Sequence, residues 1–332
     1  MTITRNWRAF PKVELHLHLE GAAPPALVRE LGAAEGVPLD GLFDAEGRYN
    51  SSDFTTFLAA YETMSRVFKR PATYQALTQA VLAECAANGV IYAEIFLSPK
   101  SLGYDAGEWV EMLAAIEAGA DAAEAEHGII ARFIPVVIRH HGPEKALEGV
   151  KTMLRAPRGR MVGFGIAGDE RIYQPKDFAP AFEQMAEAGF RLTAHAGEWG
   201  GPDSVRAALD DLKVERIGHG VRAAEDQALM QRIAGERVVL EVCPGSNVAL
   251  GVYPSLAAHS IDVLRQAGVR LTVSTDDPPF FHTTMTDEYE QLSRAFGYDE
   301  TVYAEFARTG VQAAFCDETT RATLTERLDR ML

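Results

Sequence analysis

Cysteine is scarce. The chain has three in 332 residues, at positions 85, 243 and 316, too few and too far apart for a disulfide framework or a CxxC metal site. No apolar run reaches the roughly 20 residues that a membrane-spanning helix needs. The stretch Met1–Phe10 contains Arg5, Trp7 and Arg8 but lacks the apolar segment of a secretory signal, so the expected setting is the reducing cytoplasm. Positive charge is in deficit, with 32 Lys and Arg against 47 Asp and Glu, a formal net charge of -15. Such a surface repels nucleic acid and anionic membrane, leaves small neutral or cationic ligands as the favoured class, and implies no obligatory protein partner. No Pro-, Gly- or Ser-rich linker divides the chain. Its length suits one domain over residues 1–332, a barrel of about 250 residues with insertions.

What the chain does contain is an alternation. Short runs rich in Val, Ile, Leu and Phe read as buried parallel strands over 13–19, 91–98, 131–139, 161–168, 191–198, 216–220, 238–244 and 270–276. Helical spacing separates them, over 73–88, 108–127, 175–188 and 260–267, each followed by a glycine that can take the left-handed cap position. Eight strands alternating with helices predict an α/β fold, a (β/α)8 TIM-type barrel. A doubly wound open sheet is the rival, but its first strand should end in a glycine-rich phosphate turn. Here the first strand ends in histidines. The stretch 51–70 adds an apolar stripe of Phe54, Phe57, Leu58, Tyr61, Met64 and Phe68 between the first two strands. It predicts extra helices there, either packed on the barrel or covering its mouth as a water-excluding lid.

The unusual residues fall at the strand ends, where barrel enzymes build their sites. They are His16 and His18, Gly168 and Asp169, His195 and Glu198, His219, and Asp276 with Asp277. His16 and His18 are two apart, so a strand points both imidazoles to one face. An inward imidazole pair is costly to bury unless something uses the lone pairs, and zinc does so. An HxH pair alone fits core histidines as well. With His195 and Asp276 it makes three imidazoles and a carboxylate, a set that leaves a further position for water, as catalytic zinc requires. Related barrel hydrolases with two metals bridge them with a carbamylated lysine on the fourth strand. The run Met161–Asp169 has no lysine, so one metal is expected.

Several motifs resemble the adenosine deaminase family over residues 11 to about 290. They are Pro11-Lys-Val-Glu-Leu-His16-Leu-His18-Leu-Glu20-Gly21, Ala167-Gly168-Asp169-Glu170, His195-Ala-Gly-Glu198, Arg216-Ile-Gly-His219-Gly220, Cys243-Pro244 with Ser246-Asn247, and Ser274-Thr-Asp276-Asp277-Pro278. The resemblance implies one Zn2+ on His16, His18, His195 and Asp276, with His18 also lying against the substrate. It implies that Glu198 protonates purine N1 as activated water attacks C6, and that His219 orients that water. Asp277 would hydrogen-bond N7 and the Gly168 N–H would face N3. Where the nucleoside enzymes usually carry Asp facing the ribose, this chain has Glu20, as free-base adenine deaminases do. Those relatives usually carry serine within the motif that reads Ala167-Gly168-Asp169 here, and the Thr283–Tyr289 stretch looks closer to the nucleoside enzymes. The expected activity is hydrolytic deamination of adenosine and 2'-deoxyadenosine to inosine and 2'-deoxyinosine plus ammonia. The alternatives are adenine itself, or a modified aminopurine nucleoside or nucleotide. A nucleotide would need cations at the mouth, where Arg139, His140 and His141 form the basic cluster.

Overall fold

The computed structural model describes residues 6–51, 53–98 and 105–332; Arg5 and Ser52 from the stretches above lie outside these. Eight parallel strands follow one another around a single sheet in chain order. They are β1 (Lys12–His18), β2 (Val90–Leu97), β3 (Ile130–Ile138), β4 (Gly163–Ala167), β5 (Arg191–Ala196), β6 (Arg216–His219), β7 (Val239–Val242) and β8 (Arg270–Val273). Closure comes just past β8, where the Asp276 N–H donates to the His16 carbonyl and the His18 N–H donates to the Asp276 carbonyl, both at 3.0 Å. The fold is the expected (β/α)8 barrel.

Three helices precede β2: α1 (Pro25–Glu35), α2 (Phe54–Ser65) and α3 (Pro71–Ala87). Then come α4 (Ala106–His127), α5 (Pro143–Met153), α6 (Ala179–Glu187), α7 (Pro202–Asp211), α8 (Gln227–Glu236), α9 (Pro244–Ala249) and α10 (Ile261–Gln266). After β8 follow α11 (Met285–Phe296), α12 (Glu300–Ala313) and α13 (Glu318–Met331). The third helix begins two residues before the expected Thr73, because Pro71 presets the helical φ at the first position, where a missing N–H costs nothing. The fourth begins at Ala106, since the Asp105 carboxylate accepts from the N–H groups of Gly107 and Glu108.

Alternation along β1 explains why the site lies inside. Val13 and Leu15 face outward and pack with Ala307 and Val311 of α12 and with Leu324 and Leu328 of α13. Each such burial contributes about 1.5–3 kcal/mol. Lys12, Glu14, His16 and His18 take the other face and are all buried. At the barrel floor the Lys12 ammonium donates to the carbonyls of Trp7, Phe10 and Asn88. Burial pulls its pKa down to about 7.

Candidate metal centre and active site

The sequence-predicted ligands converge at the carboxyl ends of the strands. His18 Nε2 lies 3.1 Å from His195 Nε2 and 3.3 Å from Asp276 Oδ1, and His16 Nε2 lies 3.5 Å from the same oxygen. His219 joins the cluster: donor atoms of His16, His195, His219 and Asp276 all fall within 4.8 Å of one another. His16 Nε2 is buried without a hydrogen-bond partner. Its other nitrogen, Nδ1, sits 2.9 Å from Glu241 Oε2, which fixes the tautomer and leaves the Nε2 lone pair turned to the cluster. Burial alone would lower the His16 pKa, yet Asp276 and Glu241 together lift it to about 9. Two carboxylates around one imidazole call for positive charge, which a divalent cation supplies. This donor set fits a metal ion such as zinc.

The backbone is strained where the chemistry is placed. Asp276 and His219 hold φ of 67° and 61°, left-handed values that cost a non-glycine residue of order 1–3 kcal/mol. The bonds from Asp276 to β1 hold the first. Ser246 Oγ donates to Asp276 Oδ2 at 2.6 Å. His219 Nε2 faces Glu198 Oε2 at 3.8 Å and Asp276 Oδ2 at 3.9 Å. Burial lowers the His219 pKa to about 4.

Glu198 is buried and its Oε1 has no partner within the protein. Burial first, then the charges of Asp276 and Glu170, push its pKa well above the ordinary carboxyl range. Asp277 is also raised, by burial and by the neighbouring Asp276. Its Oδ1 lacks a partner as well. Two carboxyls pushed toward the protonated form, each with an unused oxygen, therefore face one cavity of about 560 Å³, which also exposes His18, Gly168, Tyr61 and His140. The second helix supplies the apolar wall: Phe54, Phe57, Leu58 and Tyr61 line the cavity while Met64 packs into the core. The stretch read as packed helix or cover thus serves both surfaces.

Sequence reasoning gave no role to the residues that hold this arrangement, although Gly21, Glu170 and Arg216 stand within its motifs. Glu94, Arg216 and Glu241 form a buried ion triad, with Arg216 bonded to each carboxylate at 2.6 Å. Glu170 accepts from the N–H groups of Gly197, Glu198, Trp199 and Gly200 and from Ser204 Oγ, which pins the loop carrying Glu198. Gly21 has no side chain because a Cβ there would stand 1.4 Å from Asp277 Oδ1. A Cβ on Gly218 would meet the His16 ring at 2.6 Å. Asp169, by contrast, turns to Arg171 in an ion pair at 2.7 Å. Arg139 is buried and donates to the His195 carbonyl at 3.0 Å, so it braces β5 and does not line the cavity. Thr283 and Glu288 bond each other at 2.8 Å, and Glu288 accepts from the Gly245 N–H, outside the cavity lining.

A larger cavity of about 620 Å³ opens at the other end of the barrel, beside Arg132, Arg158, Arg160 and Arg191. These guanidiniums are already engaged by Asp317, by the Met161 and Gly189 carbonyls, by Asp121 and Glu124, and by Glu215. Unused polar atoms of His140, Glu198 and Asp277 line the first cavity.

Residues 11–331 match the family described as adenosine deaminase. The chain belongs to that family. The adenine deaminase of Chelativorans sp. (strain BNC1) is 45% identical over 320 residues, 96% of this chain and 97% of that one. The crystal structure of adenine deaminase from Arthrobacter aurescens superposes with a TM-score of 0.88 at 30% identity, over 97% of this chain and 99% of that one. An amidohydrolase from Burkholderia ambifaria with bound Zn gives 0.87 at 27% identity, over 98% and 92%. This chain is an adenosine deaminase-like aminohydrolase on a metal-dependent barrel. Among its described residues no helix is long and apolar enough to cross a membrane.

Proposed function

We propose that this aminohydrolase acts on the free base adenine, converting it with water to hypoxanthine and ammonia. The sequence alone leans to adenosine and deoxyadenosine; the comparisons favour the alternative, since relatives at 42–45% identity carry the name adenine deaminase. The observation within the chain that carries the choice is Glu20. It is 1% exposed, and its carboxylate accepts from Tyr74 Oη at 3.0 Å and from Tyr61 Oη at 3.4 Å. Tyr61, which bonds Glu20, lines the cavity together with Asp277. A buried carboxylate already held by two phenols is a poor seat for a ribose hydroxyl. The Thr283–Tyr289 stretch, which had pointed to nucleosides, bonds Gly245 through Glu288 and lies outside the cavity lining.

In this reading His16, His18, His195 and Asp276 hold one Zn2+, and His18 also borders the substrate. Zinc, when bound, supplies a strong nucleophile at neutral pH by lowering the pKa of water from about 15.7 toward about 7. Glu198, kept protonated by burial, donates to N1 and so makes C6 electrophilic. As the C6–O bond forms and the C6–N bond breaks, one proton of the water passes by way of Glu198 to the departing amine and the other restores the Glu198 acid given up to N1. Asp277, protonated, donates to N7, and the Gly168 N–H faces N3. His219 donates toward the attacking oxygen. The three cysteines, free in the structure, suit a cytoplasmic enzyme.

Initial rates on adenine, adenosine, deoxyadenosine and AMP test the proposal. Adenine should exceed the nucleosides in kcat/KM by about tenfold or more. A preference for adenosine would return the enzyme to the nucleoside reading.

A further inference from the structure

We infer that Asn247 and His259 are positioning residues that fix His219 in the neutral tautomer with its proton on Nε2, aimed into the cavity. The inference rests on the active site proposed above. It is carried by a chain of contacts with one unambiguous end.

That end is the backbone N–H of Ile261, which donates to His259 Nδ1 at 3.0 Å. A main-chain N–H can only donate, so His259 Nδ1 must carry a lone pair. In a neutral imidazole the proton is then on Nε2. His259 is buried, and burial depresses its pKa to about 3, so the ring is neutral across the working pH range. His259 Nε2 lies 3.1 Å from the Asn247 side chain. A donor there requires the amide oxygen to face it. The amide nitrogen is thereby turned the other way, where it meets His219 Nδ1 at 3.3 Å. An NH2 group donates and cannot accept, so His219 Nδ1 must also carry a lone pair. Its proton is left on Nε2, the atom that faces Glu198 and Asp276.

The amide orientation follows from the bonds, which is the sound way to assign it. The His219 cation is excluded on the same ground, because its Nδ1–H would point at the amide N–H. Asn247 is itself buried within α9, its N–H closing the first turn on the Cys243 carbonyl at 3.0 Å. Its amide N–H accordingly acts through His219 and has no contact with substrate. His219 therefore enters the reaction as a hydrogen-bond donor that steadies charge on the attacking oxygen, and cannot begin it as a base at Nε2.

The test is direct. In 15N-histidine-labelled protein, long-range proton–nitrogen spectra separate the two neutral tautomers, and the His219→Gln variant identifies the signal. The expected result is an Nε2–H tautomer for His219; an Nδ1–H tautomer or a cation would overturn the inference. Asn247→Asp replaces the donor by a group that only accepts. It should draw a proton onto His219 Nδ1 and lower kcat by about 10²–10³-fold, while KM for adenine and bound metal stay near wild type. His259→Gln, which can still donate to Asn247, should keep more activity than His259→Leu. Wild-type kcat in Asn247→Asp, or an unchanged His219 tautomer, would refute the relay. The spectra stand whichever substrate is turned over, and on the wild-type protein they need no variant to fold other than the one used for assignment.

Discussion

Replacing Gly21 by alanine isolates the role assigned to Asp277, although residue 21 touches no substrate. The added Cβ would stand 1.4 Å from Asp277 Oδ1 and 2.5 Å from its Cγ, well inside contact distance. Gly21 has no positive φ, so the new residue brings no backbone strain of its own, and the carboxyl group must move. Asp277 is buried, and its Oδ1 finds no partner inside the protein. Displaced, it loses its line to purine N7, and both groups are left desolvated. An unmade hydrogen bond of this kind costs about 1–3 kcal/mol. At 1.4 kcal/mol per tenfold, kcat/KM for adenine should fall about 5- to 150-fold. The metal ligands are untouched, so metal content should not change. Gly235→Ala serves as the control: it lies in α8, has open space around it and a normal φ. It should be neutral or slightly stabilising, by about 0.5–1 kcal/mol. The assay is the loss of adenine absorbance, with metal analysis and a melting curve on each variant. A folded, metal-loaded Gly21→Ala enzyme within about twofold of wild type would refute the placement of Asp277 on N7, since a loss of that size falls below the cost of the unmade bond.

Glu198→Gln keeps the shape and removes the acid, so metal should stay while kcat falls about 10²–10⁴-fold. Because burial and the charges of Asp276 and Glu170 raise the Glu198 pKa, its protonated form survives above the usual carboxyl range, and wild-type activity should decline as pH rises through that raised value. A pH profile that stays flat on the alkaline side would contradict this assignment. Glu241→Gln weakens the grip on His16 Nδ1 and should lower metal affinity about 10–100-fold in competition with a chelator; equal affinity would mean that Glu241 does not act through the ligand. Glu288 has a pKa raised by burial from 4.5 to about 7, so the folded state binds its proton more tightly than the unfolded chain. Its contribution is complete below about pH 4.5 and is lost as pH climbs to about 7. Glu288→Gln should flatten that decline in denaturant-unfolding curves, and an unaltered slope would count against the shift.

The strands, and the gathering of polar side chains at one rim, could be read from the sequence because both depend on short-range rules. Alternation every second residue places Glu14, His16 and His18 on one face, and a barrel delivers strand ends to a common rim. That sufficed for His16, His18, His195 and Asp276, whose positions along the chain say which end of a strand they occupy. The supporting residues follow a different rule. Glu94, Arg216 and Glu241 lie on β2, β6 and β7; β2 and β6 are not neighbours, so their charges meet only because the closed barrel brings inward-facing side chains together. Gly21 and Asp277 are separated by almost the whole chain, and their contact exists because the barrel closes between β1 and the segment after β8. Arg139 looks, in sequence, like one third of a basic cluster beside His140 and His141. The carbonyl it serves belongs to β5, so its burial could not be inferred from its neighbours. Glu20 obeys the same rule: the sequence marks it as the glutamate found in free-base enzymes, and only the packing of α2 and α3 brings Tyr61 and Tyr74 across it. Periodicity thus assigns a residue to a face, while register and helix packing choose its partner, and in this chain the partner determines which carboxylates are free to act.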